Sequence, residues 1–484
     1  MIGWFEGRWR LRPRPIRIRR RWLTLGVLAS GGVLACSRAI DPSPPAETAA
    51  ARPAAAELRA PPARRVNWIA TWRDEGRREE LVRDVARDFA FRHPEVEVRL
   101  AFPRDVLGKR SGSLMADEIV RMIRSGKIEW DVVWMDQGIY ERVGRELDDQ
   151  DWGARHLVDF AGVPGFAETQ KEFIVNDRVY RDATGGILVG PHVEGYFMGL
   201  WYDTEVAERV GLAIRERGMT FDDLLGYVER ISDYNRTAER PAAAFWEMSD
   251  WLSAECLFQN LFLSELGSFE EARGPLSPRK RAVLLKTLRA FEQLGRYDPL
   301  VASHSRMTLF AGRPLMLQGR ALFHIQGTWI YSLLRELDPG AFARLRPAEL
   351  PVFKEVALAQ GGYSSPFAVL QGSPNRADAV ALLMSWARPE VAERWARYTK
   401  CPTGLRGNLV DVSLGQDVNE QFQAYMSRKY GSRVWQFNGV HDYVLGEDGR
   451  ADRDESGATL RALLTGRTTA ARALAKILGR GASR

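Results

Sequence analysis

Two short runs in this chain set an indole ring beside carboxylates, Trp72-Arg73-Asp74-Glu75 and Trp134-Met135-Asp136. A flat ring offers an apolar face, and an ionised carboxylate only accepts hydrogen bonds. Together they suit a solute with an apolar face and a rim of donors. The carboxylates have a second possible use, because Asp74 and Glu75 precede a helical pattern and would stabilise its positive amino end. Strand alternation would equally turn Trp134 into a core. Other acidic pairs, Glu141 with Glu146 and Asp148 with Asp149, invite a glycosidase reading, since that chemistry uses two carboxyl groups about 5 to 10 Å apart. Asp148, Asp149 and Asp151 instead read as a solvated run or a helix stop after Leu147. No nucleophile elbow, phosphate loop or dinucleotide fingerprint stands in a fitting context, so the chain is not expected to be an enzyme. The six His and three Cys show no ligand spacing, so neither a metal nor a cofactor is expected.

The elements that must position these groups alternate. Val66 to Trp72 is β-branched and aromatic and ends in a polar cluster, which reads as strand then turn. Leu81, Val82, Val85 and Phe89 recur at one-turn spacing, predicting a helix that stops before His93-Pro94. Residues 95–100 alternate as a half-buried strand, a helix is expected over about 114–125, and Trp130 to Met135 forms a third strand. Strand-helix alternation of this length means β-α-β units, a parallel sheet covered on both faces. Ligands collect at the carboxyl ends of such strands, where both aromatic-acidic runs stand.

The amino end has a different character. Arginines at 8, 10, 12, 14, 17, 19, 20 and 21 face only Glu6, and the uncharged run from Trp22 to Ala35 is too short to span a membrane as a helix, which takes about 20 residues. Residues 1–35 read as a signal peptide, and Arg19-Arg20-Arg21-Trp22-Leu23 also resembles a twin-arginine export motif. Val33-Leu34-Ala35-Cys36 resembles the lipobox of bacterial lipoproteins, with Cys36 as the lipidated residue. Residues 36–65, rich in Pro and Ala, are expected to form a disordered tether. Setting the eight arginines and Glu6 aside takes the formal net charge from +7 to zero, which removes the case for nucleic acid as a partner. Cys256 and Cys401 would then be left either to pair in an oxidising compartment or to remain buried thiols. The remaining length exceeds one hydrophobic core and suits two lobes.

A resemblance now becomes specific. Phe89-x-x-x-His93-Pro94-x-Val96-x-Val98, Asp131-Val132-Val133-Trp134, Gly199-Leu200-Trp201-Tyr202-Asp203 with Gly211-Leu212 beyond it, and Thr220-Phe221-Asp222-Asp223-Leu224 follow in order. Phe310-Ala311-Gly312-Arg313, Ala321 to Trp329, Glu349-Leu350-Pro351, Gly361-Gly362-Tyr363-Ser364, Ser373-Pro374-Asn375 and Pro389 to Trp395 continue the series. The order is similar to that of the family 1 extracellular solute-binding proteins, the maltose-binding protein relatives that feed ABC importers.

The resemblance implies an α/β, two-lobed periplasmic-binding-protein fold of type II, with a ligand cleft between lobes joined by hinge crossovers. It implies a first lobe of 66–190 plus 355–400 and a second of 191–354 plus 401–484, with a helix over 458–478 packed on the second. The implied function is capture of a di- or oligosaccharide and its delivery to ABC permease subunits. A ligand-binding sensor or a binder of a non-sugar solute would use the same fold. The implied contacts are Trp72, Asp74, Glu75, Trp134 and Asp136 from the first lobe, Glu194 at the first crossing, Trp246, Glu247 and the stacking Trp329 from the second lobe, and the turn at Gly362 and Tyr363. Core packing is the competing role for Trp246, packing at the lobe surface for Trp329, and positive φ for the glycines. The expected state is a monomer, exported and anchored to the membrane by lipid, facing the periplasm or cell exterior.

Overall fold

The computed structural model describes residues 62–73, 75–103, 111–170, 184–246, 253–301, 316–356, 358–404, 417–431, 433–435 and 453–481. The signal peptide, Cys36, most of the tether, Asp74, Glu247 and the 310–313 motif lie outside them.

The first three strands are β1 (Arg64–Ile69), β2 (Val96–Ala101) and β3 (Val132–Trp134), and the first three long helices are α1 (Arg77–Arg92), α2 (Ser111–Ser125) and α3 (Gln137–Leu147). β1 begins before the predicted Val66, since Arg64 and Arg65 pair across β2 with Glu95 and Glu97 at 3.0 and 2.8 Å. Seven further strands follow: β4 (Glu194–Asp203), β5 (Ala243–Phe245), β6 (Ala321–Gly327), β7 (Leu345–Ala348), β8 (Ala359–Ser364), β9 (Phe367–Val369) and β10 (Val434–Trp435).

The strands form two sheets. The smaller has the order β2-β1-β3-β9, parallel except for the last pair, where Trp134 lies opposite Phe367. Alternation along these strands fills both faces, as β-α-β units require. Val66, Trp68, Val132 and Phe367 pack with Leu81, Phe89 and Trp395 on one face. Val133 and Ala368 pack with Met115, Ile119 and Ile139 of α2 and α3 on the other.

The larger sheet has the order β10-β8-β4-β6-β5, with β7 also paired to β4. β4 is its spine. Glu194 to Phe197 pair with β8, and the stretch beyond pairs with β6 and β7. The 359–364 strand therefore belongs to this larger sheet, and the next one, β9, to the smaller.

Several motifs are element boundaries. Asp203 ends β4 and caps the helix Thr204–Val210 through Glu205 N at 2.9 Å, and Gly211 closes that helix at φ 74. Thr220 and Asp223 form a reciprocal capping box on the helix Phe221–Asn235. The helix expected over 458–478 is instead two, Arg453–Leu464 and Ala470–Gly481. Gly466, at φ 65, donates to Leu463 O while Arg467 N donates to Ala462 O, a double bond pattern that ends a helix. Among the described residues no helix is long and apolar enough to cross a membrane.

His324 sits inside the larger sheet, 1% exposed, with its ring 6.2 Å from that of Trp246. Burial pushes its imidazole down from 6.5 to about 4. As pH falls, the unfolded chain takes up this proton first, so stability present above 6.5 is lost on the way to 4. At about 1.4 kcal/mol per unit, roughly 3 kcal/mol should disappear over that range. In urea titrations at several pH values, His324→Leu should lose correspondingly less than wild type.

Candidate functional site

The chain passes between the two sheets three times among the described residues: at 189–194 into β4, at Ser365-Pro366 between β8 and β9, and at 401–404 beyond the helix Pro389–Thr399. The passes lie against one another. A Cβ on Gly195 would stand 2.6 Å from Pro402 O and 2.8 Å from Tyr363 Cδ1, and one on Gly190 would stand 2.6 Å from Ser365 Oγ. Glycine is what lets the backbones approach so closely.

At this junction a guanidinium is buried. Arg78 lies in the first turn of α1, in phase with Leu81, Val82 and Val85, and is 5% exposed. It donates to Glu75 Oε2 at 2.8 Å and forms an ion pair with Glu194, which opens β4. Ser364, closing β8, donates to the other oxygen of Glu194 at 3.0 Å. Three indoles surround the cation, with ring centroids 4.4 Å (Trp72), 5.2 Å (Trp395) and 5.8 Å (Trp329) from its central carbon. Trp72 holds φ 71, a conformation costing a bulky L-residue of order 1–3 kcal/mol and tolerated where surroundings enforce it.

The electrostatics are those of a coupled buried cluster. Burial opposes the charge on Arg78, but Glu194 and Glu75 hold the guanidinium above its ordinary range. Burial is also the largest influence on Glu194 and raises its carboxyl, against the pull of Arg78 and Ser364, while Glu75 and Asp136 add to the rise. Cys401 adjoins the cluster, and burial pushes its thiol up to about 11.

The remaining sequence-predicted residues divide by exposure. Glu75 is spent on Arg78; the α1 N-cap position belongs to Gly76, with no side-chain bond. Asp136 is exposed, caps α3 by accepting from Ile139 N at 2.8 Å, and lies within electrostatic range of Glu194. Trp134 is half-buried over Gly112. Trp329 is half-buried and packs against clusters of both sheets, edge-on to Tyr196 at 4.9 Å. Trp72, Trp246 and Tyr363 are 7%, 1% and 4% exposed. Trp246 is enclosed with Trp201 and Tyr331, and the Tyr363 hydroxyl donates to Gly431 O at 3.2 Å. Gly362 is a buried strand residue opposite Tyr196. Cys256 and Cys401 lie in different clusters.

Arg78, Ser364 and Trp395 carry no signal as site residues in the sequence. The run Arg77-Arg78-Glu79-Glu80 looks like a solvated helix face, and only the helical phase of Arg78 with Leu81 and Val85 marks it as inward-facing. Beside this cluster a groove of about 630 Å³ runs between α1 and the helix Ile330–Leu337, lined by Gly76, Glu79, Glu80 and Arg83 on one side and Leu333, Glu336 and Leu337 on the other. Arg77 reaches Glu336 across it at 3.5 Å.

No family model matches the sequence, and no curated protein does. Solved structures do match. The GacH receptor of Streptomyces glaucescens, known unliganded and with acarbose, has a TM-score of 0.63 at 13% identity, over 86% of this chain and 96% of its own. Maltose-bound MalE3 of T. maritima also scores 0.63, at 18% identity over 86% and 99% of the two chains. The apo form of RafE from Streptococcus pneumoniae scores 0.58, at 15% identity over 86% and 96%. At these identities the likeness is one of fold. The chain has the α/β, two-lobed periplasmic-binding-protein fold, and the Arg78 cluster lies where its two sheets are joined.

Replacing Gly195 by Ala forces a methyl group onto Pro402 O and should cost about 1 to 3 kcal/mol. A lowered denaturant midpoint without a change in slope is the expected result.

Proposed function

We propose that this protein is an extracytoplasmic solute-binding protein that takes a carbohydrate, a di- or oligosaccharide, between its lobes and delivers it to an ABC importer. What supports this reading is that Glu194 and Trp329 stand where the lobes are joined and Asp136 lies within electrostatic range of Glu194, with Trp134 two residues before it on the same strand end and Glu75 held against Arg78. An indole covers the apolar face of a sugar ring, and carboxylates accept from its hydroxyls. Contacts from both sides make closure favourable, because only the closed form satisfies them together. The fold supports the same reading, since its neighbours include structures described with acarbose, maltose and raffinose. Trp72, Trp246 and Tyr363 serve as the buried backing of this set. Asp74 and Glu247 belong to it by their place in the sequence. Binding, not catalysis, is the activity.

The finer parts of the proposal rest on the sequence. Residues 1–35 direct export, Cys36 carries lipid, and the Pro/Ala tether holds a monomer off the membrane. Replacing Cys36 with Ser should abolish incorporation of a radiolabelled fatty acid, and persistent labelling would remove the anchor.

A thermal-shift screen of sugars, amino acids, polyamines and phosphates tests the ligand class. A ligand at 100 times its Kd stabilises by about 2.7 kcal/mol, so a carbohydrate hit should stand clear of the other classes. For that hit, Trp329→Ala should weaken calorimetric affinity by about tenfold or more through the loss of a stacking face. Unchanged affinity takes Trp329 out of the site, and appearance of a hydrolysed product on chromatography would replace binding with catalysis.

A further inference from the structure

We propose that Arg78 is a positioning residue for solute capture, which touches no solute itself and holds Glu194 as an ionised hydrogen-bond acceptor where the passes between the lobes meet. The inference rests on the solute-binding reading above. Its ground is the geometry of one side chain. Arg78 belongs to α1 and the smaller sheet, yet its partners reach every pass. Glu194 ends the first, Ser364 on Glu194 ends the strand before the second, Trp395 precedes the third and Cys401 begins it, and Trp329 follows a strand of the larger sheet.

At 6% exposure the Arg78 side chain has little surface to offer a solute, whereas the Glu194 side chain is 13% exposed. Among the described residues, the charged groups that act on Glu194 are Arg78 from α1, Glu75 from the turn before it and Asp136 from the start of α3, with the Cys401 thiol also adjoining. Two of these are carboxylates and repel its charge, and Arg78 is the single cation among those named. Without Arg78, a carboxylate in this surround takes up a proton and turns one of its acceptor oxygens into a donor. A sugar hydroxyl held as a donor would lose its acceptor.

The test uses the full chain in detergent, wild type and Arg78→Met, with carbon-13 in the Glu carboxyls and Glu194→Gln to assign the Glu194 resonance. The expected result is that Glu194 is ionised in wild type and that its titration moves upward in Arg78→Met, the direction in which burial, Glu75 and Asp136 already push it. Arg78→Lys should restore the wild-type behaviour. Calorimetry with maltose and raffinose should follow the same course: a flat affinity from pH 6 to 8 in wild type, and at least a tenfold loss on acidification in Arg78→Met. A merely structural role would lower affinity equally at each pH. A Glu194 that is neutral in wild type, or that stays ionised throughout in Arg78→Met, overturns the proposal. If the titration behaves as expected and neither sugar binds wild type, the carbohydrate reading fails and the hold of Arg78 on Glu194 stands. Should Arg78→Met not fold, Arg78→Met/Glu194→Gln removes the stranded charge with its partner. Recovery of the fold, with any sugar binding weak and independent of pH, supports the assignment, and a double variant that stays unfolded overturns it.

Discussion

A buried guanidinium needs a counter-charge at hand, and this need ties together parts of the chain that are far apart in sequence. Arg78 and Glu194 are separated by 116 residues, and Ser364 stands 170 beyond Glu194. Withdrawing either charge from water costs several kcal/mol unless the partner and the remaining hydrogen bonds are in place. Each element that supplies a partner is thereby held in register: α1 by Arg78, β4 by Glu194, β8 by Ser364. The indoles of Trp72, Trp395 and Trp329 complete the enclosure and gain from the cation at the same time.

The backbone near the cluster obeys the same demand for closeness. Gly190 and Gly195 mark places where one pass approaches another nearer than a side chain permits. Trp72 holds a positive φ while its ring packs against those of Phe367 and Trp395 at 5.8 and 5.2 Å. Strain held in this way is characteristic of sites where geometry is specified in advance. The cluster lies where the lobes are joined.

The two lobes differ in how much they ask of the junction. Each sheet is buried on both faces by its own helices, so each lobe has a core independent of the other. Trp329 is the exception, since it packs against clusters from both and folds its ring over Gly327, where any Cβ would collide with it. A side chain with one foot in each lobe feels relative motion directly.

The strand-helix alternation of the smaller sheet was legible in the sequence, because apolar periodicity records burial: α1 buries one face, and β2 alternates with Glu97 and Arg99 exposed. In the sequence, Asp203 with Gly211, and Thr220 with Asp223, are motifs of the resemblance only; the structure shows them as caps, which solve a problem local to one helix. The break at Gly466 was legible in kind but outweighed by the leucines on either side of it. The aromatic and acidic residues could be named as candidates, yet not sorted. Trp246 and Trp329 are the same residue type near strand ends, one 1% exposed and the other half-buried between lobes. Which of them is enclosed depends on neighbours 45 to 133 positions away, such as Trp201 and Tyr196. Arg78 belongs wholly to this second kind of information. Its charge suits a helix surface as well as a buried pair, and only the tertiary structure, by bringing Glu194 to it, decided between them. The sequence by itself determined the alternation and the helix ends, which depend on contacts within a few residues. The tertiary structure alone determined the junction, since the cost of burying a charge is settled by whatever the fold places beside it.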